Sequence, residues 1–284
     1  MKPFLKWVGG KTQIIDQVLA EFPRDIDTYH EPFVGGGSVL LAVLSHPHIR
    51  VGRVRASDNN PHLVALYKQV QEDPELLHMA VEHLFRGYDG SGTQKEAFYY
   101  AQRERFRTAP ACIERCALFI FLNKTCFRGL YREGPHGFNV PYGHYKTTPK
   151  PPSLEELRAV QALIKDVQFS VCDFKEALEH VRPGDFVYAD PPYAQETKTS
   201  FKEYTRGGFD QDLLFKELSK TMFVMSNANV PCVREFFKGF KILYIKARRA
   251  INSKRPDATT TEVLVVKSGD GCGRGTDEQE RSGV

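Results

Sequence analysis

The sequence lacks the features that mark membrane, secreted and metal-binding proteins. Its 284 residues contain no apolar run approaching the roughly 18 residues that a membrane-spanning helix needs. The first ten residues hold two lysines and no long apolar stretch, so a secretory signal is not expected. None of the six cysteines forms a Cys-x-x-Cys pair, which indicates free thiols in a reducing compartment rather than disulfides or a zinc site. We therefore expect a cytoplasmic protein without a metal ion.

Net charge is also small, but it is concentrated in one segment. The formal net charge of the chain is +4 at pH 7. Residues 86–150 alone hold eleven lysines and arginines against five aspartates and glutamates, a surplus of six positive charges. Nucleic acid is the obvious polyanionic partner for such a segment. A solvated helix face explains the surplus equally well, so charge alone leaves both interpretations open.

Short apolar runs alternate with helical patterns, as they do in α/β folds. The predicted strands are Tyr29–Phe33, Arg53–Ser57, Val167–Cys172, Asp185–Ala189, Met222–Met225, Ile242–Lys246 and Glu262–Lys267. The predicted helices are Thr12–Ala20, Gly37–Leu44, Pro61–Glu72, Pro74–Phe85, Leu154–Ile164, Phe174–His180 and Asp210–Ser219. A mostly helical stretch is predicted over Lys95–Leu122, and a hairpin or ordered loop over Gly129–Lys150.

The predicted strands fall into two groups, one before residue 60 and one after residue 165, so an insertion interrupts the predicted sheet. We predict a discontinuous α/β domain formed by residues 1–60 and 165–267. The insertion would comprise residues 61–164. Residues 268–284 are Gly-rich and polar, which predicts a disordered tail.

A glycine-rich turn follows the first predicted strand. Gly35, Gly36 and Gly37 let the chain turn tightly and let a ligand approach the backbone closely. Asp58 ends the next predicted strand, where an acid binds ribose hydroxyls in nucleotide-binding α/β folds. Because the turn is not Gly-x-Gly-x-x-Gly, a ligand with a ribose but no phosphate fits best, and S-adenosylmethionine is one. A purely structural turn explains these residues equally well.

The segment from Lys6 to Thr12 contains a Gly-Gly-Lys sequence that looks like part of a phosphate-binding P-loop. A P-loop requires glycine at position 5, where this chain has Leu5, so that interpretation is rejected. Trp7 and Lys11 could line a cofactor pocket, with Lys11 pairing a carboxylate. From the residues alone, a core anchor for Trp7 and a surface charge for Lys11 are favoured.

The most informative motif is Asp190-Pro191-Pro192-Tyr193, which follows a predicted apolar strand. Open α/β sheets bind their ligands at the carboxyl ends of strands, and two prolines stiffen the turn there. Asp190 and the Pro191 carbonyl can accept the hydrogens of an exocyclic adenine amine and stabilise the positive charge that grows on it during methylation. Tyr193 can stack on a flipped base. This chemistry requires no metal, and the alternative is a merely structural turn.

Four motifs together resemble those of the Dam-type (GATC) DNA adenine-N6 methyltransferases, in the class whose recognition insert lies between the cofactor and catalytic motifs. In the family's order they are Lys6-Trp7-x-Gly-Gly-Lys11, Glu31-Pro32-Phe33-x-Gly-Gly-Gly-Ser38, Asp58-x-Asn60 and Asp190-Pro-Pro-Tyr193. The resemblance extends from about Phe4 to Lys267. It implies an α/β, Rossmann-like S-adenosylmethionine-dependent methyltransferase sheet with an inserted, mainly helical DNA-recognition domain that carries a β-hairpin.

The resemblance also implies a role for each matching residue. The catalytic residues would be Asp190, Pro191, Pro192 and Tyr193. The cofactor S-adenosyl-L-methionine, which leaves as S-adenosyl-L-homocysteine, would be bound by Trp7, Lys11, Glu31, Phe33, Gly35, Gly37, Ser38, Asp58, Asp173, Phe174 and Asp190.

In the insertion, residues 123–132 and 137–143 resemble the hairpin that reads GATC in this family. The implied base-contacting residues are Lys6 and Arg132 at guanines, Leu130 and Pro141 at the third base pair, and Phe127 where the adenine leaves the stack. Arg128 and Tyr145 would also contact DNA, and Arg248 and Arg249 resemble a loop near the DNA backbone. The family commonly has Asn where this chain has Arg128. That departure leaves the details of base flipping and the recognition sequence open.

The sequence thus predicts a monomeric enzyme that transfers a methyl group from S-adenosylmethionine to N6 of a flipped adenine in double-stranded DNA, in GATC, without a membrane partner. A methyltransferase acting on RNA adenine, cytosine N4 or protein glutamine is the first alternative. A catalytically silent DNA-binding relative is the second, and the intact Asp190–Tyr193 motif argues against it. An NAD-linked oxidoreductase is disfavoured because the Gly-x-Gly-x-x-Gly fingerprint is missing.

Overall fold

Parallel strands form the centre of the structure. The structure, a computed structural model, describes residues 1–194, 209–248 and 259–269. The strands in this part of the chain are β1 (Asp25–Glu31), β2 (Arg50–Asp58), β3 (Glu133–Gly134), β4 (Gly137–Phe138), β5 (Gln168–Val171), β6 (Phe186–Ala189), β7 (Met222–Ala228), β8 (Lys241–Arg248) and β9 (Thr259–Lys267).

Seven of these strands form one sheet in the order β5-β2-β1-β6-β7-β9-β8. The five strands from β5 to β7 in that order run parallel, and β9 runs antiparallel to both of its neighbours. The direction in which the chain adds strands reverses between β1 and β6. In open α/β sheets, ligands bind beyond the carboxyl ends of the strands at such a reversal. The predicted mixed α/β fold with a mostly parallel central sheet is confirmed.

All seven strands predicted for the sheet are present, with shifted ends. The first was predicted to extend to Phe33, whereas β1 ends at Glu31. Pro32 follows directly and has no N–H for the ladder, which accounts for the earlier end.

The described helices are α1 (Ile15–Leu19), α2 (Ser38–Leu44), α3 (Pro61–Glu72), α4 (Pro74–Gly87), α5 (Gly92–Thr108), α6 (Ile113–Thr125), α7 (Leu154–Ile164), α8 (Phe174–Glu179), α9 (Gln211–Leu218) and α10 (Pro231–Phe236). Helices α3 and α7 have the predicted bounds because Asn60 and Ser153 cap their first turns. Helix α10 was not predicted, since six residues with one buried position show no helical period. No helix in the described ranges is both long and apolar enough to cross a membrane.

Helices α3 to α7 and the antiparallel pair β3–β4 lie in the segment predicted as the insertion. Arg107 of α5 donates to the carbonyl of Phe138 at 3.0 Å, and Arg103 donates to the carbonyl of Val140 at 3.3 Å. Two of the basic residues of this segment therefore hold the hairpin against the helix.

One hydrophobic core extends from the sheet into these helices. Buried Tyr29 of β1 and Phe121 of α6 belong to the same cluster of contacting side chains. Helix α3 contacts β2 and β5 as well as α6 and α7. A second cluster surrounds β7, α9 and α10. The division of the chain at residue 61 stays a prediction.

Gly37 offers a test of the loop between β1 and α2. Its φ is +70°, and a Cβ there would lie 2.6 Å from the Tyr67 hydroxyl oxygen. We expect Gly37→Ala to lower the free energy of unfolding by more than the about 1–2 kcal/mol that a left-handed backbone alone costs an L-residue. Urea unfolding measures this loss.

Gly184→Ala is the matched control, because Gly184 also has positive φ (+96°) but a Cβ there would meet no atom within 4 Å. An equal loss in both variants would show that the contact with Tyr67 has no energetic consequence.

Candidate active site

A cleft of about 980 Å³ opens at the carboxyl edge of the parallel strands. Glu31, Asp58 and Asp190 stand at or just beyond the ends of β1, β2 and β6, and Asp173 follows β5. Because parallel strands present their carboxyl ends at the same edge, these acids line one cleft although they are far apart in sequence. The volume lies at the upper end of the range of about 300–1,000 Å³ for small-molecule sites.

The predicted catalytic residues all line this cleft, and so do the predicted cofactor residues except Gly37. Gly37 lies behind the cleft wall as the N-cap of α2, against Tyr67. Lys11 is only 4% exposed, so the sequence-based interpretation of this residue as a surface charge is wrong.

Trp7 covers the glycine turn. A Cβ at Gly35 would lie 2.9 Å from Trp7 Nε1, and one at Gly36 would lie 2.5 Å from Trp7 Cβ. The half-buried indole also stacks on Tyr131, with ring centroids 5.8 Å apart. These two glycines therefore make room for a side chain of the protein itself, which sequence reasoning had not anticipated.

An ion pair joins the N-terminal segment to the end of β6. Lys11 Nζ lies 2.6 Å from Asp190 Oδ2 and donates to the Gly9 carbonyl at 2.5 Å. Burial raises the pKa of Asp190, Lys11 opposes this rise, and Glu262 adds to it. Lys11 thus favours the ionised carboxylate, which is the form that accepts hydrogen bonds from an amine.

Three side chains hold the turn that follows Asp190. Gln211 Nε2 donates to the Pro192 carbonyl at 2.5 Å, the Tyr193 hydroxyl donates to Glu262 Oε2 at 2.8 Å, and Asn227 Oδ1 accepts from the Ala194 N–H at 3.0 Å. Lys11 Nζ also lies 5.2 Å from the centre of the Tyr193 ring. The turn is thereby fixed at three consecutive residues beyond the ion pair.

Glu31 is a buried acid at the floor of the cleft, 2% exposed. Its Oε2 accepts from the Tyr29 hydroxyl at 2.5 Å. Burial raises the pKa of Glu31 to about 8, the Tyr29 hydrogen bond opposes this rise, and the nearby Asp190 adds to it. Among the described residues that line the cleft, seven are acidic and two are lysines.

Asp58 and three aromatic rings also line the cleft. Asp58 accepts from the Gly35 N–H at 3.0 Å and from the Asn60 N–H at 2.9 Å, one bond to each carboxylate oxygen, so each oxygen can accept a further bond. Burial raises the pKa of Asp58, and backbone N–H groups oppose the rise. Phe33, Phe174 and Phe209 lie with ring centroids 5.0–6.0 Å apart.

Asp173, also predicted to bind cofactor, caps α8. Its Oδ1 accepts from the Lys175 and Glu176 N–H groups at 2.8 and 3.1 Å. One carboxylate oxygen is therefore committed to the helix, and Oδ2 is the atom that remains for a ligand.

The residues predicted to contact DNA gather around a turn at residues 127–129. Phe127 is 41% exposed, and Arg128 has a left-handed backbone with φ of 56° and lies 5.2 Å from the Phe127 ring. Lys6 Nζ lies 4.4 Å from the Tyr145 ring. The Tyr145 hydroxyl donates to the Cys126 carbonyl at 2.8 Å and so supports the turn.

The other predicted DNA-contacting residues differ in exposure. Pro141 and Arg132 are exposed, whereas Leu130 is partly buried against the core. Arg132 Nε donates to Asn139 Oδ1 at 2.7 Å, which orients the guanidinium on the hairpin. Arg248 ends β8, and Arg249 lies outside the described residues.

Sequence reasoning missed several cleft residues. Tyr131 and Glu133 line the cleft from the predicted recognition hairpin, and Glu262 reaches it from β9. The sequence did place Glu262 at the start of an apolar strand. The missing information was the antiparallel direction of β9, which brings the start of this strand, rather than its end, to the cleft.

Among the described residues, no group of three or more His, Cys, Asp or Glu side chains is arranged to hold a metal ion. The five cysteines in these ranges are free thiols. The polar groups that line the cleft are carboxylates, backbone groups, hydroxyls and amines.

The fold and the cleft define the class of protein. It is an α/β protein whose cleft lies where the strand order of a mostly parallel sheet reverses. Residues 7–251 match the model of a family described as D12 class N6 adenine-specific DNA methyltransferase. Since the match covers most of the chain, the protein belongs to this family of adenine-specific DNA methyltransferases.

Curated relatives agree with the family. The chain is 39% identical over 274 residues to the type II methyltransferase M.MjaIII of Methanocaldococcus jannaschii, covering 89% of this chain and 94% of that protein. It is 31% identical over 276 residues to the DNA adenine methylase of Haemophilus influenzae, covering 93% of each. Among solved structures, an rRNA methyltransferase, aviRa of Streptomyces viridochromogenes, overlays with a TM-score of 0.37 and 16% identity over 94% of this chain and 90% of that one, too weak a likeness to bear on substrate.

The raised pKa of Glu31 predicts a pH dependence of stability in the ligand-free protein. Between its ordinary value of 4.5 and about 8, folded Glu31 holds a proton that the unfolded chain has released. The free energy of unfolding should therefore fall as pH rises through this window, by up to about 1.4 kcal/mol for each unit of the pKa difference. Glu31→Gln should remove this part of the slope, as measured by urea unfolding at pH 5, 6.5 and 8.

Glu155→Gln, at an exposed position of α7, is the control and should leave the slope unchanged. A slope in Glu31→Gln as steep as in the wild type would contradict the assignment of a buried, protonated Glu31.

Proposed function

We propose that the chain methylates N6 of a flipped adenine in double-stranded DNA, within GATC, and takes the methyl group from S-adenosylmethionine bound in the cleft. The observation that carries the proposal is the Lys11–Asp190 ion pair at the start of the Asp-Pro-Pro-Tyr turn, at the edge of a ligand-sized cleft.

The residues of the cleft suit S-adenosylmethionine. Its sulfonium and ammonium groups are cationic, and acids outnumber lysines by seven to two among the described cleft residues. Asp58 has lone pairs free for a ribose diol, and the rings of Phe33 and Phe174 offer apolar faces to an adenine. When bound, this cofactor supplies an electrophilic methyl group.

The turn suits an exocyclic amine as methyl acceptor. Asp190 Oδ1 is the carboxylate oxygen not used by Lys11, and together with the Pro191 carbonyl it can accept both N6 hydrogens. These bonds draw the nitrogen lone pair out of the ring and stabilise the positive charge that develops on it. Tyr193, held by its hydroxyl, presents a ring on which the flipped base can stack.

Support for duplex DNA comes from the surface around the turn at residues 127–129. Exposed Phe127 can enter the base stack, while Lys6 and Arg132 can reach guanine acceptors in the major groove. The relatives named as adenine methylases and type II methyltransferases fit the same substrate. GATC itself rests on the resemblance of the hairpin residues to those of the Dam-type enzymes.

A methyl-transfer assay tests the reaction and the sequence together. Purified protein, tritiated S-adenosylmethionine and duplexes containing GATC, GTTC or neither sequence are combined, and label on adenine N6 is measured. We expect label only in the GATC duplex and none with Asp190→Ala, which should still bind DNA. Label on adenine in every duplex would refute GATC and point to Arg128, whereas transfer by Asp190→Ala would refute the catalytic site.

Arg132→Ala tests the predicted guanine contact. The wild type should discriminate against a duplex in which one guanine is replaced. Loss of a bidentate contact should reduce this discrimination by about 1–3 kcal/mol, because fewer donors then read the base. The ratio of kcat/KM values for the two duplexes measures this. Arg158→Ala is the control, since Arg158 is an exposed residue of α7 that pairs with Glu75 of α4. A uniform loss on both duplexes would mark Arg132 as a phosphate contact.

A further inference from the structure

Glu262 stands behind the catalytic turn, in a strand that none of the sequence motifs includes. It lies in β9, opposite Ala228 of β7 and Ile245 of β8. Because β9 runs antiparallel to β7, residues near the start of β9 reach the edge of the sheet where the cleft opens. Glu262 is partly buried there and lines the cleft.

The Tyr193 hydroxyl donates to Glu262 Oε2 at 2.8 Å. The far end of the Tyr193 side chain is thereby fixed to the sheet, while its backbone is fixed by the prolines and by the bond between Ala194 and Asn227. A tyrosine ring held at both ends has one orientation before the substrate binds. Binding therefore does not have to supply the entropic cost of ordering the ring.

Lys11 completes the arrangement around Tyr193. Its ammonium lies 5.2 Å from the ring centre and also pairs with Asp190. Rotation of the ring would therefore disturb the environment of the carboxylate that is proposed to accept the adenine amine. Glu262, the Tyr193 ring, Lys11 and Asp190 thus form one chain of contacts.

We propose that Glu262 is a positioning residue for methyl transfer: its carboxylate holds the Tyr193 hydroxyl and so fixes the ring on which the target base stacks. This proposal rests on the proposed function, because it assumes that a base is methylated at Asp190. Glu262 itself touches neither the base nor the cofactor in this role. Its contribution is a hydrogen-bond acceptor at one place, which an amide oxygen can also supply.

The test uses Glu262→Ala, Glu262→Gln, Tyr193→Phe and the double variant Tyr193→Phe/Glu262→Ala. The single-turnover rate of methyl transfer to a GATC duplex and the dissociation constants for cofactor and DNA are measured for each. Glu262→Ala should slow transfer by about tenfold or more, as expected for loss of a hydrogen bond to a charged group, with little change in either dissociation constant. Glu262→Gln should retain a rate near that of the wild type.

The double variant separates positioning from general damage to the fold. If Glu262 acts through the Tyr193 hydroxyl, adding Glu262→Ala to the Tyr193→Phe variant should slow methyl transfer almost no further. Thr261→Ala, an exposed neighbour on β9, is the control for disturbance of the strand. Additive losses, a wild-type rate in Glu262→Ala, or a Glu262→Gln as slow as Glu262→Ala would each overturn the proposal.

Failure of the proposed function gives a different result. A wild-type protein that binds the duplex but leaves no label on adenine would refute the function itself. The wild type, Glu262→Ala, Tyr193→Phe and the double variant then still test the contact, through the coupling between Tyr193 and Glu262 in the free energy of unfolding, and an additive cycle there would refute the hydrogen bond.

Discussion

The ion pair between Lys11 and Asp190 is the interaction on which the arrangement of the site depends. It spans 179 positions of sequence and joins a segment without regular structure to the end of β6. Removing two charges from water costs free energy. Their mutual attraction compensates for this cost only when the geometry is good and the remaining donors and lone pairs form hydrogen bonds. Here Lys11 also donates to the Gly9 carbonyl, and its backbone N–H donates to Ser38 at the start of α2.

That pair brings the N-terminal segment against the glycine turn, and the close packing of Trp7 over Gly35 and Gly36 follows. Any side chain at either glycine would collide with the indole. The turn, the tryptophan and the ion pair are thus mutually dependent, since displacement of one removes the support of the others. Carboxylates outnumber lysines among the described residues that line the cleft, and Lys11 pairs with the one that begins the Asp-Pro-Pro-Tyr turn.

The positions of the strands along the chain followed from the sequence because apolar runs and turn residues are local signals. The end of β1 at Glu31 and the bounds of α3 and α7 depend on a proline and on capping side chains, which are local as well. The acids at the strand ends could be assigned to one cleft because parallel strands share a direction. The burial of Lys11 could not be predicted, since its partner is distant in sequence.

The position of Glu262 in the cleft was not predicted for a related reason. The sequence pattern of β9 indicates a strand but contains no information about its direction. The hydrogen bonds of Arg103 and Arg107 to the hairpin could not be predicted from the sequence either. Their charge counted toward a nucleic-acid surface, whereas the structure uses their donors to hold the hairpin carbonyls. Composition gives the number of charges in a segment, and only the packing decides which of them face solvent.

The hairpin shows how the predicted reading surface and the cleft share one stretch of chain. Tyr131 stacks on Trp7, and both Tyr131 and Glu133 line the cleft. The Tyr131 hydroxyl donates to the Glu133 carboxylate at 2.5 Å. Arg132 lies between them and is exposed. Successive side chains of an extended segment point in opposite directions, so Arg132 faces the outer surface while its two neighbours face the cleft. A change at its neighbours alters the wall of the cleft, and this geometry lets the exposed surface of the hairpin vary while the cleft is kept.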